Sequence, residues 1–102
     1  MASHGMFLAM VLANAKRQEA RGVVLTVERD RPGIHMLLLD GSSQPLVAPP
    51  AEVLMQILTS LEEGQRQFSS NVYAASIEEV TVKREGEGMS AHISAWSIGH
   101  ND

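Results

Sequence analysis

Apolar positions along the chain change their spacing several times, and each change marks an element. Residues 4–21 carry Met6, Phe7, Leu8, Met10, Val11 and Leu12 too densely to form one narrow stripe at 3.6 residues per turn, so the first half of this helix is predicted apolar nearly all round. Ser3 is placed to cap its start, Lys16, Arg17 and Arg21 suit its C-terminal end, and Gly22 is expected to end it in the left-handed conformation. Residues 23–29 alternate and are rich in β-branched side chains. Asp30-Arg31-Pro32-Gly33 then suggests a type II turn, with Pro32 and Gly33 at its centre. The return strand, 34–39, holds Met36, Leu37, Leu38 and Leu39 in a nearly unbroken run, which predicts a central strand covered on both faces.

Asp40-Gly41 turns the chain again, and residues 44–48 form a short piece whose Pro45 confines it to a sheet edge. A second helix is predicted from near Pro50, with Val53, Leu54, Ile57, Leu58 and Leu61 at helical spacing and Gly64 as its stop. Residues 65–70 read as polar connection and 72–75 as a short strand. A hairpin of 77–84 and 89–98 then closes around Glu85-Gly86-Glu87-Gly88, with Met89, Ala91, Ile93 and Ala95 expected on one face. The order helix, three strands, helix, two or three strands defines an α+β fold, an antiparallel sheet backed by two helices. One domain, 1–102, accounts for the length, with residues 1–4 and 99–102 expected to fray.

Composition removes several classes of chemistry. The absence of cysteine excludes disulfides, thiolate zinc sites and cysteine nucleophiles, and is compatible with a reducing, cytoplasmic setting. Net charge is -4, and the second half is the acidic one: residues 52–102 hold three Lys or Arg against eight acids. Nothing resembles the basic stripe that neutralises phosphates, so nucleic acid is not an expected partner. The apolar run 6–13 is far shorter than the roughly 20 residues that span a bilayer, so membrane insertion is not expected either.

Candidate catalytic groups are scattered. Histidines 4, 35, 92 and 100 lack metal-site spacing, although His35 and His92 fall on predicted strands that could be neighbours. No Gly-x-Ser-x-Gly elbow is present, and Gly86-Glu87-Gly88 lacks the Lys-Ser/Thr of a phosphate loop. No catalytic residue, metal ligand or cofactor is assigned. The candidate site is instead a protein-binding surface: Phe7, Met10 and Val11 on the over-apolar helix, with Arg29 and Arg31 at the first hairpin as a place for a carboxylate.

From Leu12 to Trp96 the chain resembles the small N-terminal domain of type II secretion and type IV pilus ATPases. The likeness rests on a small-residue helix at 13–21, a strand at 23–28, an apolar strand ending in Leu39-Asp40-Gly41, Pro49-Pro50, and the amphipathic helix at 53–61. Two segments depart from that pattern: Met36 and Leu38 stand where the family alternates arginines, and Val24-Leu25-Thr26 replaces an Asp-Ile-His-like stretch. Those polar groups address nucleotide held by a following ATPase domain, so the resemblance implies the scaffold of a non-catalytic adaptor that binds a protein partner or itself. One alternative shares the element order, a small acidic dimeric chaperone similar to those of type III secretion; another is a small-ligand binder or enzyme with a pocket between sheet and helix that includes His35 or His92, since residues distant in sequence converge in space.

Overall fold

The computed structural model describes residues 3–100, with side chains from Gly5 onward; the capping expected of Ser3, the side chain of His4 and the fraying expected at 1–2 and 101–102 lie outside the described residues. Its elements are α1 (Ser3–Arg17), β1 (Gly22–Glu28), β2 (Arg31–Leu37), β3 (Ser43–Leu46), α2 (Ala51–Glu62), β4 (Gln67–Ser69), β5 (Tyr73–Glu85) and β6 (Gly88–His100). All strands pair antiparallel in one six-stranded sheet of order β3-β2-β1-β6-β5-β4. Both helices cover the same face: α1 lies over β4, β5 and β6, and α2 over β2, β1, β6 and β5. The expected α+β architecture is therefore present.

The core lies between that face and the helices. Val23, Leu25, Val27, Ile34, Met36, Met89, Ala91 and Ile93 point up from the sheet to meet Leu8, Leu12, Leu54, Ile57, Leu58 and Leu61. On α2 the buried residues follow the predicted helical spacing, and Gly64, at φ 104°, ends the helix. Gly64 N–H bonds to Leu61 O and Gln65 N–H to Ser60 O, the pairing of a Schellman cap. The Asp40-Gly41 turn also forms as expected, with the Asp40 carboxylate accepting from both the N–H and the hydroxyl of Ser42.

Several boundaries differ from expectation. Helix α1 stops at Arg17 rather than near Arg21, because Glu19 takes the left-handed position (φ 58°) while its N–H bonds to Lys16 O and that of Ala20 to Ala15 O. Gly22 is instead the first residue of β1. A Cβ there would lie 2.9 Å from His92 Nε2 and 3.2 Å from Ile93 O, so glycine serves close strand packing and not a helix cap.

The first hairpin turns at Arg29-Asp30, not at Pro32-Gly33. Both turn residues have positive φ (50° and 63°), as a two-residue type I′ turn requires, and Glu28 pairs with Arg31 across it. Pro32 lies in β2, beyond the reach of β3, which ends opposite Ile34. Strand β2 is covered on one face only: His35 is exposed, Leu37 half-buried, and Leu39, past the strand end, is 67% exposed. The short strand β3, with its proline, lies at the sheet edge as predicted.

The polar stretch 65–70 contains an unforeseen strand, β4, whose Phe68 is buried against the core, and the segments read as 72–75 and 77–84 are one continuous β5. Strand β6 continues to His100, opposite Tyr73, so Gly99 and His100 are paired and not frayed.

The register between β5 and β6 shifts twice, leaving Glu78 on one strand and Ser94 on the other without a direct opposite. Alternation therefore changes phase on both strands, and Trp96, not Ala95, turns into the core at 3% exposure. Its indole N–H donates to Leu12 O at 3.0 Å, and Lys16 Nζ lies 4.7 Å from the ring centre. Replacing Trp96 with Ala is expected to destabilise the fold by about 3–5 kcal/mol. Trp96→Phe, which keeps a ring but no donor, should fall between, and urea denaturation of the three proteins measures the order.

At the C-terminal end of α2 the Glu62 carboxylate accepts two guanidinium N–H groups of Arg84, at 2.7 and 2.9 Å. The hydrogen bonds, helped by the opposite charge, hold the Glu62 carboxyl below its ordinary value of 4.5. A folded-state value below the unfolded one contributes stability that is complete above 4.5 and is lost as pH falls through the lower value. The stability gap between wild type and Glu62→Gln should accordingly be present at neutral pH and close in strong acid, read from denaturation midpoints across a pH series.

Candidate functional site

Helix α1 sinks Leu8, Ala9, Leu12, Ala13 and Ala15 into the core, and the same geometry sets what it shows outside. Met6 and Met10, one turn apart, are 39% and 56% exposed. Phe7 and Val11 are half-buried and pack against the core beneath that ridge. The apolar surface stops one turn later, where the Asn14 side-chain oxygen accepts from Arg17 Nη2 and Gln18 Nε2, both at 3.3 Å. The expectation of a helix apolar nearly all round thus resolves into a two-methionine ridge with half-buried shoulders. Methionine's flexible thioether adapts to varied contact shapes, which suits such a ridge to docking.

Of the five residues expected to bind a partner, Met10 stands on the ridge and Phe7 and Val11 form its shoulders. Met6 completes it and was missed, although its i, i+4 relation to Met10 is visible in the sequence. Leu12 is fully buried, so it has no part in the surface.

Arg29 and Arg31 lie elsewhere. They are exposed at the tip of the β1–β2 hairpin, where Arg29 Nε approaches Glu87 of the β5–β6 tip at 3.5 Å. Trp96, on which α1 rests, is separated from Gly88 at that tip by eight residues of β6, roughly 26 Å at about 3.3 Å per residue. The two groups of expected residues are therefore two patches near opposite ends of the sheet.

Between the hairpin tips is an open cleft of about 640 Å³, lined by Glu28, Arg29, Arg31, Glu85, Glu87 and two glycines. Its three carboxylates outnumber its two guanidiniums, and no apolar side chain lines it to hold a ligand body. A second depression, bordered by Thr26, Lys83 and Ser90, measures about 190 Å³, below the roughly 300 Å³ at which small-molecule sites begin. Neither cleft includes His35 or His92.

Those histidines are on the uncovered face of the sheet, both exposed, and both opposite Val24, one on each side. They are thus two strands apart, about 10 Å at roughly 4.8 Å per strand, rather than direct neighbours. Among the described residues no group of three or more His, Asp or Glu side chains is placed to hold a metal, and no helix is long and apolar enough to cross a membrane.

Fold and surface together define a two-layer α+β domain with one helix-covered face, one open face and a small methionine ridge. No protein-family model matches the chain, and no curated protein is significantly similar to it.

The turn that presents Arg29 is itself strained, since a non-glycine residue in the left-handed region costs about 1–2 kcal/mol. Asp30→Gly should raise stability by roughly 1 kcal/mol without changing the fold, an increase checked by the urea midpoint.

Proposed function

We propose that the protein is a non-catalytic docking module that presents the Met6–Met10 ridge of α1 to a protein partner. The exposure of these two methionines on a helix otherwise anchored by Leu8, Leu12 and Trp96 is the observation that carries the reading. A rigidly held helix keeps its ridge in place before the partner arrives, which reduces the ordering cost of association. The resemblance of residues 12–96 to the N-terminal domain of type II secretion and type IV pilus ATPases supplies the partner class: a component of a secretion or pilus-assembly machine. The departures at Met36 and Leu38 support an adaptor without nucleotide chemistry. Met36 is wholly buried in the core and Leu38 packs partly against it, so both positions serve packing.

The experiment is calorimetric titration of the protein into purified soluble domains of type II secretion and type IV pilus assembly components. Met10→Asp is expected to weaken binding by tenfold or more, about 1.4 kcal/mol or above, while its circular dichroism and denaturation midpoint stay near wild type. Binding that is indifferent to Met10→Asp would sink the proposed surface, and binding only to an unfolded segment would favour the chaperone-like alternative.

A further inference from the structure

The outer edge of β5 is only partly used. Strand β4 covers it from Ala74 to Ser76, and Ile77 N–H donates to Arg66 O; from Glu78 to Glu85 no strand pairs with it among the described residues. The two-residue connection between Glu85 and Gly88 sets the alternation of the β5–β6 ladder. Glu85, Lys83 and Thr81 turn their backbone groups toward β6, while Arg84, Val82 and Val80 turn theirs outward. None of those three outward residues has a backbone partner beyond its own sheet neighbours among the described residues.

An unpaired edge ordinarily carries charge to repel other strands. Here the charges are ordered: residues 78–84 read Glu-Glu-Val-Thr-Val-Lys-Arg, acids on one side of Thr81 and bases on the other. We propose that this edge pairs with the same edge of a second copy, antiparallel about a two-fold axis at Thr81.

That register sets Glu79 opposite Lys83 of the second copy, twice by symmetry; Glu78 falls opposite its Arg84, whose guanidinium stays with Glu62 of its own chain. Val80 falls opposite Val82 of the other copy, and these are outward-facing residues, so they exchange backbone hydrogen bonds in both directions. Side-chain faces agree as well. Val80 and Val82 lie partly buried on the helix-covered side in both copies, whereas Lys83 belongs to the open face, where Glu79 accepts from Ser94 Oγ at 2.7 Å.

Neighbouring registers fail. An axis at Val82 sets Glu79 against Glu85, and an axis at Val80 leaves Lys83 opposite Ile77, whose N–H is already taken. The free length also fits, since the second copy's Arg84 reaches Glu78, the first residue beyond β4's hold. Lys83 makes no ion pair within its own chain among the described residues, so it is available to a second copy. The product is a continuous sheet across the two-fold axis, with the helices of both copies on one side. It uses no residue of α1, so it stands or falls apart from the docking surface proposed there.

Sedimentation equilibrium over a concentration series reaching the millimolar range tests the pairing. Wild type is expected to dimerise reversibly, more weakly as salt rises. Glu79→Lys alone and Lys83→Glu alone each place like charges opposite one another twice and should weaken the dimer about tenfold or more. Mixing these two single variants restores opposite charges on both pairs and should recover association, as should the double variant. A second readout needs no substitution: in wild type, amide exchange at Val80 and Val82 should slow as concentration rises, while Thr81 and Lys83 stay protected at every concentration. A wild type monomeric throughout, a dimer indifferent to both single variants, or a mixture no tighter than its parts would each overturn the pairing.

Discussion

The paired irregularity between β5 and β6 is the constraint on which the rest of the structure depends. Each strand carries one extra residue, Glu78 and Ser94, and the two are staggered, so the ladder resumes with its faces exchanged on both strands. Before it, Met89, Ala91 and Ile93 supply small and medium side chains to the face under α2. After it, Trp96 and Ile77 face α1, and the largest side chain of the protein reaches the carbonyl of Leu12. Without the exchange, Trp96 would stand on the open face and α1 would rest on Ala95.

Anchoring α1 in this way decides which of its side chains face solvent. One face of the sheet is consumed by the core, and of the two helices that close it α1 leaves Met6 and Met10 as its exposed large apolar side chains among the described residues. The other face carries Thr26, Ser90, His35 and His92 beside Val24, Leu37 and Lys83, and the depression at Thr26, Lys83 and Ser90 is too small for an ordinary small-molecule site. The lateral edges are likewise unequal. One ends in the short, proline-bearing β3, while the other leaves half of β5 unpaired beyond the three residues of β4 among the described residues. The ridge proposed for docking on α1 and the edge proposed for pairing on β5 therefore share no residue.

Much of the architecture was legible from periodicity and turn chemistry. Leu54, Ile57, Leu58 and Leu61 at helical spacing, Gly64 past them, and Pro45 on a short strand each have one physical solution, and each appears in it. Readings failed where local preference met tertiary demand. Pro32-Gly33 is a strong turn signal, but a turn there would set Ile34 opposite Arg31 and Met36 opposite Arg29, and bring Asp40 opposite Leu25; the strained Arg29-Asp30 turn keeps Ile34 opposite Leu25 and Met36 opposite Val23, and it prevails. Gly22 reads as a helix stop until His92 is found packed against it. Phe68, alone among polar neighbours, gave no periodic signal, and its strand exists because α1 and β5 flank it.

The sequence by itself thus determined the order of the elements up to Gly64, the closing hairpin, the α+β class, the aliphatic core and the exclusion of thiol chemistry, because these follow from composition and from spacing within a dozen residues. The apolar excess on the first helix was legible in the same way, but not which of its residues would remain in view. That was decided by the tertiary structure alone, since a side chain's exposure depends on strands some eighty residues away and on a register shift that no local pattern encodes. The separation of Met10 from Arg29, and the run of β5 left unpaired beyond β4 among the described residues, are likewise properties of strand order, which arises only when the whole sheet is assembled.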